Sequence, residues 1–182
     1  MEEKVFAITE SLTGEEIKGV RNRLKLTQKE FADLVNVSVK TVERWETGNR
    51  PVVGPVVALA KVLMDYPQFS EQYRIPEKSY PMRLWYMCGS QICSVIDVDE
   101  QRKMVKVFNF IRHDQYRAFG RVEMPTFEEY EEFLESRCFP RSRDKMKLML
   151  RELDLPFYDP LLIVEKTGGR MAEDNFWIRI ER

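Results

Sequence analysis

Histidine is nearly missing from this chain. His113 is the only one in 182 residues, with no second histidine or cysteine pair beside it. A zinc centre takes about four His, Cys or carboxylate ligands at short, paired spacings, so no metal site is expected. Cysteine is scarce as well. Cys88, Cys93 and Cys138 are odd in number and stand in apolar or strand-like settings, which fits reduced, structural thiols better than a disulfide framework. No Gly-rich phosphate loop is present, and "TGGR" at 167–170 follows a predicted helix instead of preceding one. No run approaches the roughly 18 apolar residues of a membrane span, and the start "MEEKVFAITES" lacks the basic-then-apolar order of a secretory leader. A cytoplasmic location is therefore expected. Neither charge dominates: Lys+Arg number 29 and Asp+Glu 30, a net charge of −1. Any nucleic-acid site must come from local placement of charge. With no acid/base or metal constellation visible, the chain is not expected to be an enzyme or to carry a cofactor.

What is present is enough for a folded core, with an apolar share of 43% and an aromatic share of 12%. Apolar spacing is helical up to about residue 66 and alternates over short runs after the proline-punctuated stretch "DYPQFSEQYRIPEKSYP". The spacing predicts an α+β chain in two domains. Residues 1–66 are all-helical, 67–81 form a linker with a helical turn in it, and 82–182 form a small domain with an antiparallel sheet.

In the first domain, Thr13 or Gly14 opens a helix with Ile17, Val20 and Leu24 on one face. "TQKE" makes Thr27 and Glu30 a capping box for a second helix through Val35. Asn36, tolerant of the left-handed conformation, turns the chain before Ser38 caps a third helix to about Thr47, and Gly48 stops it. A fourth helix starts near Pro55. Two short helices joined by a tight turn can set the second of them in a DNA major groove. Val37, Val42 and Trp45 are expected to anchor that helix, leaving Val39, Lys40, Thr41, Glu43 and Arg44 turned outward to varying degrees. From Gly14 to Tyr66 there are nine Lys or Arg and seven Asp or Glu, so position, not bulk charge, has to make such a site.

The stretch "LTQKEFADLVNVSVKTVERWETGNRPVVGP" resembles the Xre/Cro-type helix-turn-helix, in particular its antitoxin-like branch, over about Thr13 to Tyr66. The resemblance implies five short helices, dimeric binding to double-stranded DNA, and repression. By the same resemblance Gln28 is similar to a glutamine that contacts the DNA backbone, Val39, Lys40 and Arg44 match positions that touch base edges, and Thr41 one that meets phosphate. Ser38 and Arg50 complete the expected DNA-binding set. Arg21 and Glu46 match a pair that forms an internal salt bridge. Asn36 stands where Gly is usual. Val39 stands where a polar residue is common, which suggests contact with a thymine methyl.

In the second domain "MRLWYMC", "QICSVID" and "KMVKVFNF" read as strands, with Gly89-Ser90 as a tight turn and "VDEQR" as a looser one. Thr126 and Glu129 make another capping box, Ser142 is expected to cap a helix over 143–153, and Asp159-Pro160 begins a helix ending at Gly168-Gly169. "NFWIRI" closes as a strand, with Phe176 and Trp177 on opposite faces. Arg137, Arg141 and Arg143 are expected to gather at a helix start. There they could hold an anion or a partner, or simply pair with the acidic run Glu128 to Glu135. "CFPRSRDKMKLML" followed by "DPLLIVEKTGGR" resembles the small N-terminal subdomain of HipA-type kinase toxins over about Cys138 to Ile180, which implies an interaction module. The combined expectation is a homodimeric DNA-binding regulator, the antitoxin or autorepressor of a toxin–antitoxin locus with a toxin as protein partner. The alternative is a regulator responding to a small anionic effector.

Overall fold

The computed structural model describes residues 6–142 and 144–182, and the chain forms two compact units, Met1–Arg74 and Ile75–Arg182. In the first unit the order is β1 (Ser11–Leu12), α1 (Gly14–Arg23), α2 (Gln28–Leu34), α3 (Val39–Thr47), β2 (Val52–Val53), α4 (Pro55–Asp65) and α5 (Gln68–Gln72). Capping sets the helix starts. Thr13 with Glu16, and Thr27 with Glu30, form complete capping boxes, and the Ser38 hydroxyl accepts from the Thr41 N–H. Asn36 is left-handed at φ 56°, as expected, and so is Lys25 at φ 57° in the preceding connection. Gly48 ends α3 for a different reason: its backbone is extended, but a Cβ there would come within 2.6 Å of the Arg44 carbonyl oxygen. Ile17, Val20, Phe31, Ala32, Val42, Val52, Ala60 and Leu63 make the core. Full burial of a side chain such as Phe31 contributes about 1.5–3 kcal/mol, and it is 0% exposed. The antiparallel β1–β2 ribbon, with Leu12 opposite Val52, was not foreseen and makes this unit not purely helical.

The stretch 67–81 is more than a linker. Its first part forms α5, whose Phe69 packs on the core of the first unit. Its last part belongs to the second unit, where the Pro76 carbonyl accepts from Arg83 and the Ser79 N–H donates to Asp97.

The second unit contains β3 (Met82–Cys88), β4 (Gln91–Asp99), β5 (Met104–Asn109), a short 3-10 turn (Asp114–Tyr116), α6 (Phe127–Ser136), α7 (Met146–Glu152), α8 (Pro160–Thr167) and β6 (Phe176–Glu181). Its sheet runs β5-β4-β3-β6, antiparallel throughout. Gly89, at φ 56°, makes the tight turn between β3 and β4. Leu84, Tyr86, Ile96, Val98 and Ile178 line one face and share a core with Tyr130, Phe133, Leu134, Ile163 and Val164 of the helices. Phe176 lies on this face, its ring stacked 4.9 Å from that of Tyr86. The opposite face carries a buried ion pair, Arg83 to Asp97 at 2.6 Å. Residue alternation makes the two faces.

One helix start differs from expectation. α7 begins at Met146 after a left-handed Lys145 at φ 64°, with no side-chain cap. That backbone reversal takes Ser142 out of capping position, and Arg143 lies outside the described residues.

Candidate nucleic-acid interface

The last turn of α3 is held from two sides. The Arg21 guanidinium on α1 donates to the Glu46 carboxylate through Nε at 2.6 Å and Nη2 at 2.9 Å, and Gln28, the first residue of α2, donates its side-chain amide to Glu46 Oε2 at 2.9 Å. Arg21 also reaches the Leu26 carbonyl at 3.0 Å. Glu46 is thereby held below the ordinary carboxylate range, first by the Arg21 hydrogen bonds and further by Gln28, against the opposing effect of burial. α1 approaches α3 so closely that a Cβ on Gly14 would overlap the Trp45 carbonyl oxygen. The orientation of α3 is therefore set by one ion pair, one amide and one backbone-to-backbone contact.

On that mount the helix shows two faces. Val42 is fully buried, Trp45 is half-buried against the core, and Lys40, Glu43 and Arg44 are exposed. Lys40 and Arg44, four residues apart, project from the same side. Among the described residues neither they nor Arg50, also exposed, has a salt-bridge partner within 4 Å, whereas Arg21 on α1 is paired with Glu46. Val39 is half-buried and packs partly on the core, so only part of its side chain is free to meet a base. Ser38 is exposed but its hydroxyl is occupied as cap and by the Thr41 hydroxyl at 2.9 Å. Thr41 is half-buried. Gln28 is half-buried with one amide hydrogen given to Glu46, a role its helix position alone does not reveal. The arrangement presents two free cations on a rigid helix, which suits contact with base edges and phosphates.

Arg137 and Arg141 are each engaged by an acidic residue of the second unit. Arg137 lies at the C-terminal end of α6, not at a helix start. It is 8% exposed. Its guanidinium donates to both Asp174 oxygens at 2.6 and 3.0 Å, to the Gly169 carbonyl at 3.0 Å and to the Phe176 carbonyl at 3.2 Å. Arg141 donates to Glu135 at 2.8 Å and stacks over Tyr158. Arg137 is thus engaged internally and Arg141 is paired to the acidic helix. Arg143 lies outside the described residues. The signal for Arg137 and Asp174 is separated by 37 positions, beyond the reach of any local pattern.

Among the described residues no group of three or more His, Cys, Asp or Glu is placed to hold a metal ion, and no helix is long and apolar enough to cross a membrane. Residues 17–63 match the helix-turn-helix family model, of Xre/Cro type, a DNA-binding regulatory domain. No curated protein matches the chain. The chain therefore carries a DNA-binding helix-turn-helix, and α2 and α3 are its two namesake helices.

Proposed function

We propose that the protein is a sequence-specific transcriptional regulator that binds duplex DNA as a homodimer and represses its own toxin–antitoxin locus. The observation that carries this reading is α3, with Val42 wholly buried and Lys40 and Arg44 exposed and unpaired among the described residues. α3 enters the major groove, and two copies meet half-sites about 34 Å apart. Lys40 and Arg44 read base edges, Val39 offers its exposed methyl surface to thymine, and Ser38, Thr41, Gln28 and Arg50 meet the backbone. The dimer reading draws support from exposed apolar side chains of the first unit, Val62 on α4, Tyr66 at its C-terminal cap and Val53 on β2 at 65% exposure. The antitoxin role rests on the HipA-like resemblance of Cys138 to Ile180 and assigns the second unit to a protein partner.

The test is a gel shift on duplex DNA from the protein's own upstream region in moderate salt, with an unrelated duplex as competitor. Selective retardation of the upstream duplex is the expected result, and failure to bind any duplex contradicts the reading. Co-expression with the product of the neighbouring reading frame tests the antitoxin role separately: the two should purify as a complex and growth should be rescued.

A further inference from the structure

Beside β6, on the second unit, lies a groove of about 580 Å³ bordered by Glu165, Lys166, Arg170, Trp177, Arg179 and Arg182. Glu165 is taken by Arg182. Among the described residues Lys166, Arg170 and Arg179 are exposed and have no ion-pair partner, so the groove keeps three uncompensated cations.

Two of them are held in place. The Arg170 guanidinium lies 5.0 Å from the Trp177 ring centre and that of Arg179 4.7 Å from that of Trp85, its cross-strand neighbour. The rings are fixed in turn: Trp177 Nε1 donates to the Gly89 carbonyl at 2.7 Å and Trp85 Nε1 to Glu181 at 3.1 Å. A guanidinium lying on an indole keeps its N–H edges free in its own plane, where they match the two oxygens of a carboxylate. Holding it there in advance lowers the ordering cost of binding.

The same details limit what can bind. A strand cannot extend the sheet along the whole of β6, because the outward Ile178 N–H already donates to Gly168 at 2.7 Å and the Phe176 backbone is bonded to Asp174 and Arg137. Recognition must therefore run through side chains. Single-stranded nucleic acid uses free ring faces for base stacking, and here guanidiniums occupy them. We propose that this groove docks an acidic segment of a protein partner, with Glu or Asp carboxylates on Arg170 and Arg179. The proposal deepens the reading of the second unit as partner-binding and is independent of operator binding by the first.

The experiment measures fluorescence anisotropy of a labelled synthetic Glu-rich peptide against the full chain at about 0.15 M salt, where distant surface charges are screened. Arg170→Ala and Arg179→Gln are compared with the parent and with Arg102→Ala, an exposed arginine in the β4–β5 turn. Each groove variant should weaken binding about tenfold, as loss of a close charge contact does, while Arg102→Ala stays within about twofold of the parent. Gel shifts on operator DNA should be unchanged in all three, which separates this result from the DNA reading. Arg170→Ala carries the test if Arg179→Gln lowers the thermal midpoint, since Arg170 is exposed and makes no ion pair among the described residues. The proposal is overturned if the parent does not bind the peptide, if the groove variants bind it as the parent does, or if Arg102→Ala loses as much. Tighter binding of a single-stranded oligonucleotide of equal charge also overturns it.

Discussion

Replacing Glu46 by alanine should unfasten α3 without removing any side chain proposed to face DNA, although it frees the Gln28 amide. The change removes three hydrogen bonds at 2.6, 2.9 and 2.9 Å and leaves the Arg21 guanidinium with its Nε and Nη2 donors unpaired. The Glu46 side chain is 4% exposed and that of Arg21 13%, so water can restore only part of the lost solvation. Deleting one partner of a buried pair costs about 3–5 kcal/mol, and the bond Arg21 keeps to Leu26 argues for about 3. Against a total stability of about 5–15 kcal/mol this is a large share. For a unit of this size it lowers the thermal midpoint by about 12–24 °C, at about 4–8 °C per kcal/mol. Urea and thermal unfolding of parent and variant measure it. The effect must also depend on pH. Because the folded state holds the Glu46 carboxyl below its ordinary value, its contribution is fully present above the unfolded carboxyl pKa of about 4.3. It fades as pH falls through the lower, folded value, so parent and variant should converge in acid. A loss under about 1 kcal/mol at neutral pH, or a gap that persists unchanged in acid, refutes the assignment of this pair as the mount of the helix.

Gly14→Ala should destabilise the first unit by about 1–3 kcal/mol, the usual penalty of overpacking, because its Cβ would meet the Trp45 carbonyl and neither backbone can yield locally; the urea midpoint reads it. Arg137→Ala should destabilise the second unit by about 3–5 kcal/mol, since Asp174 and two carbonyls lose their donor, and thermal unfolding measures the drop. Thiol labelling of the native protein should show one fast cysteine, Cys88, and two slow ones. Cys93 is fully buried, and burial pushes the Cys138 thiol up to about 12; all three should react at one rate in denaturant.

The helix starts and stops were legible wherever a side chain two or three residues away writes them. Thr27 with Glu30, Ser38, Thr126 with Glu129, Asp159 and Gly168 are such places. Asn36 was legible because few residues other than glycine take a left-handed backbone cheaply. The same conformation at Lys25, Lys103 and Lys145 carries no compositional mark, and Lys145 is where the expected cap at Ser142 went wrong. The two-residue strands β1 and β2 are too short to show alternation. The exposed cations of α3 followed from helical spacing. By contrast, the engagement of Gln28 with Glu46, Arg83 with Asp97 and Arg137 with Asp174 depends on chain segments brought together from 14 to 37 positions apart, which no local pattern encodes. That long-range pairing, not local chemistry, converted Arg137 from an expected anion ligand into an internal fastener.

The most direct test of the DNA reading is the base preference of Arg44→Ala on duplexes selected from a random pool by the parent protein. Arg44 is exposed and serves no internal pair among the described residues, so the thermal midpoint should be unchanged. Discrimination should fall by about 1–3 kcal/mol at a single base position. Equal affinity and equal selectivity in parent and variant would contradict the placement of α3 in the groove.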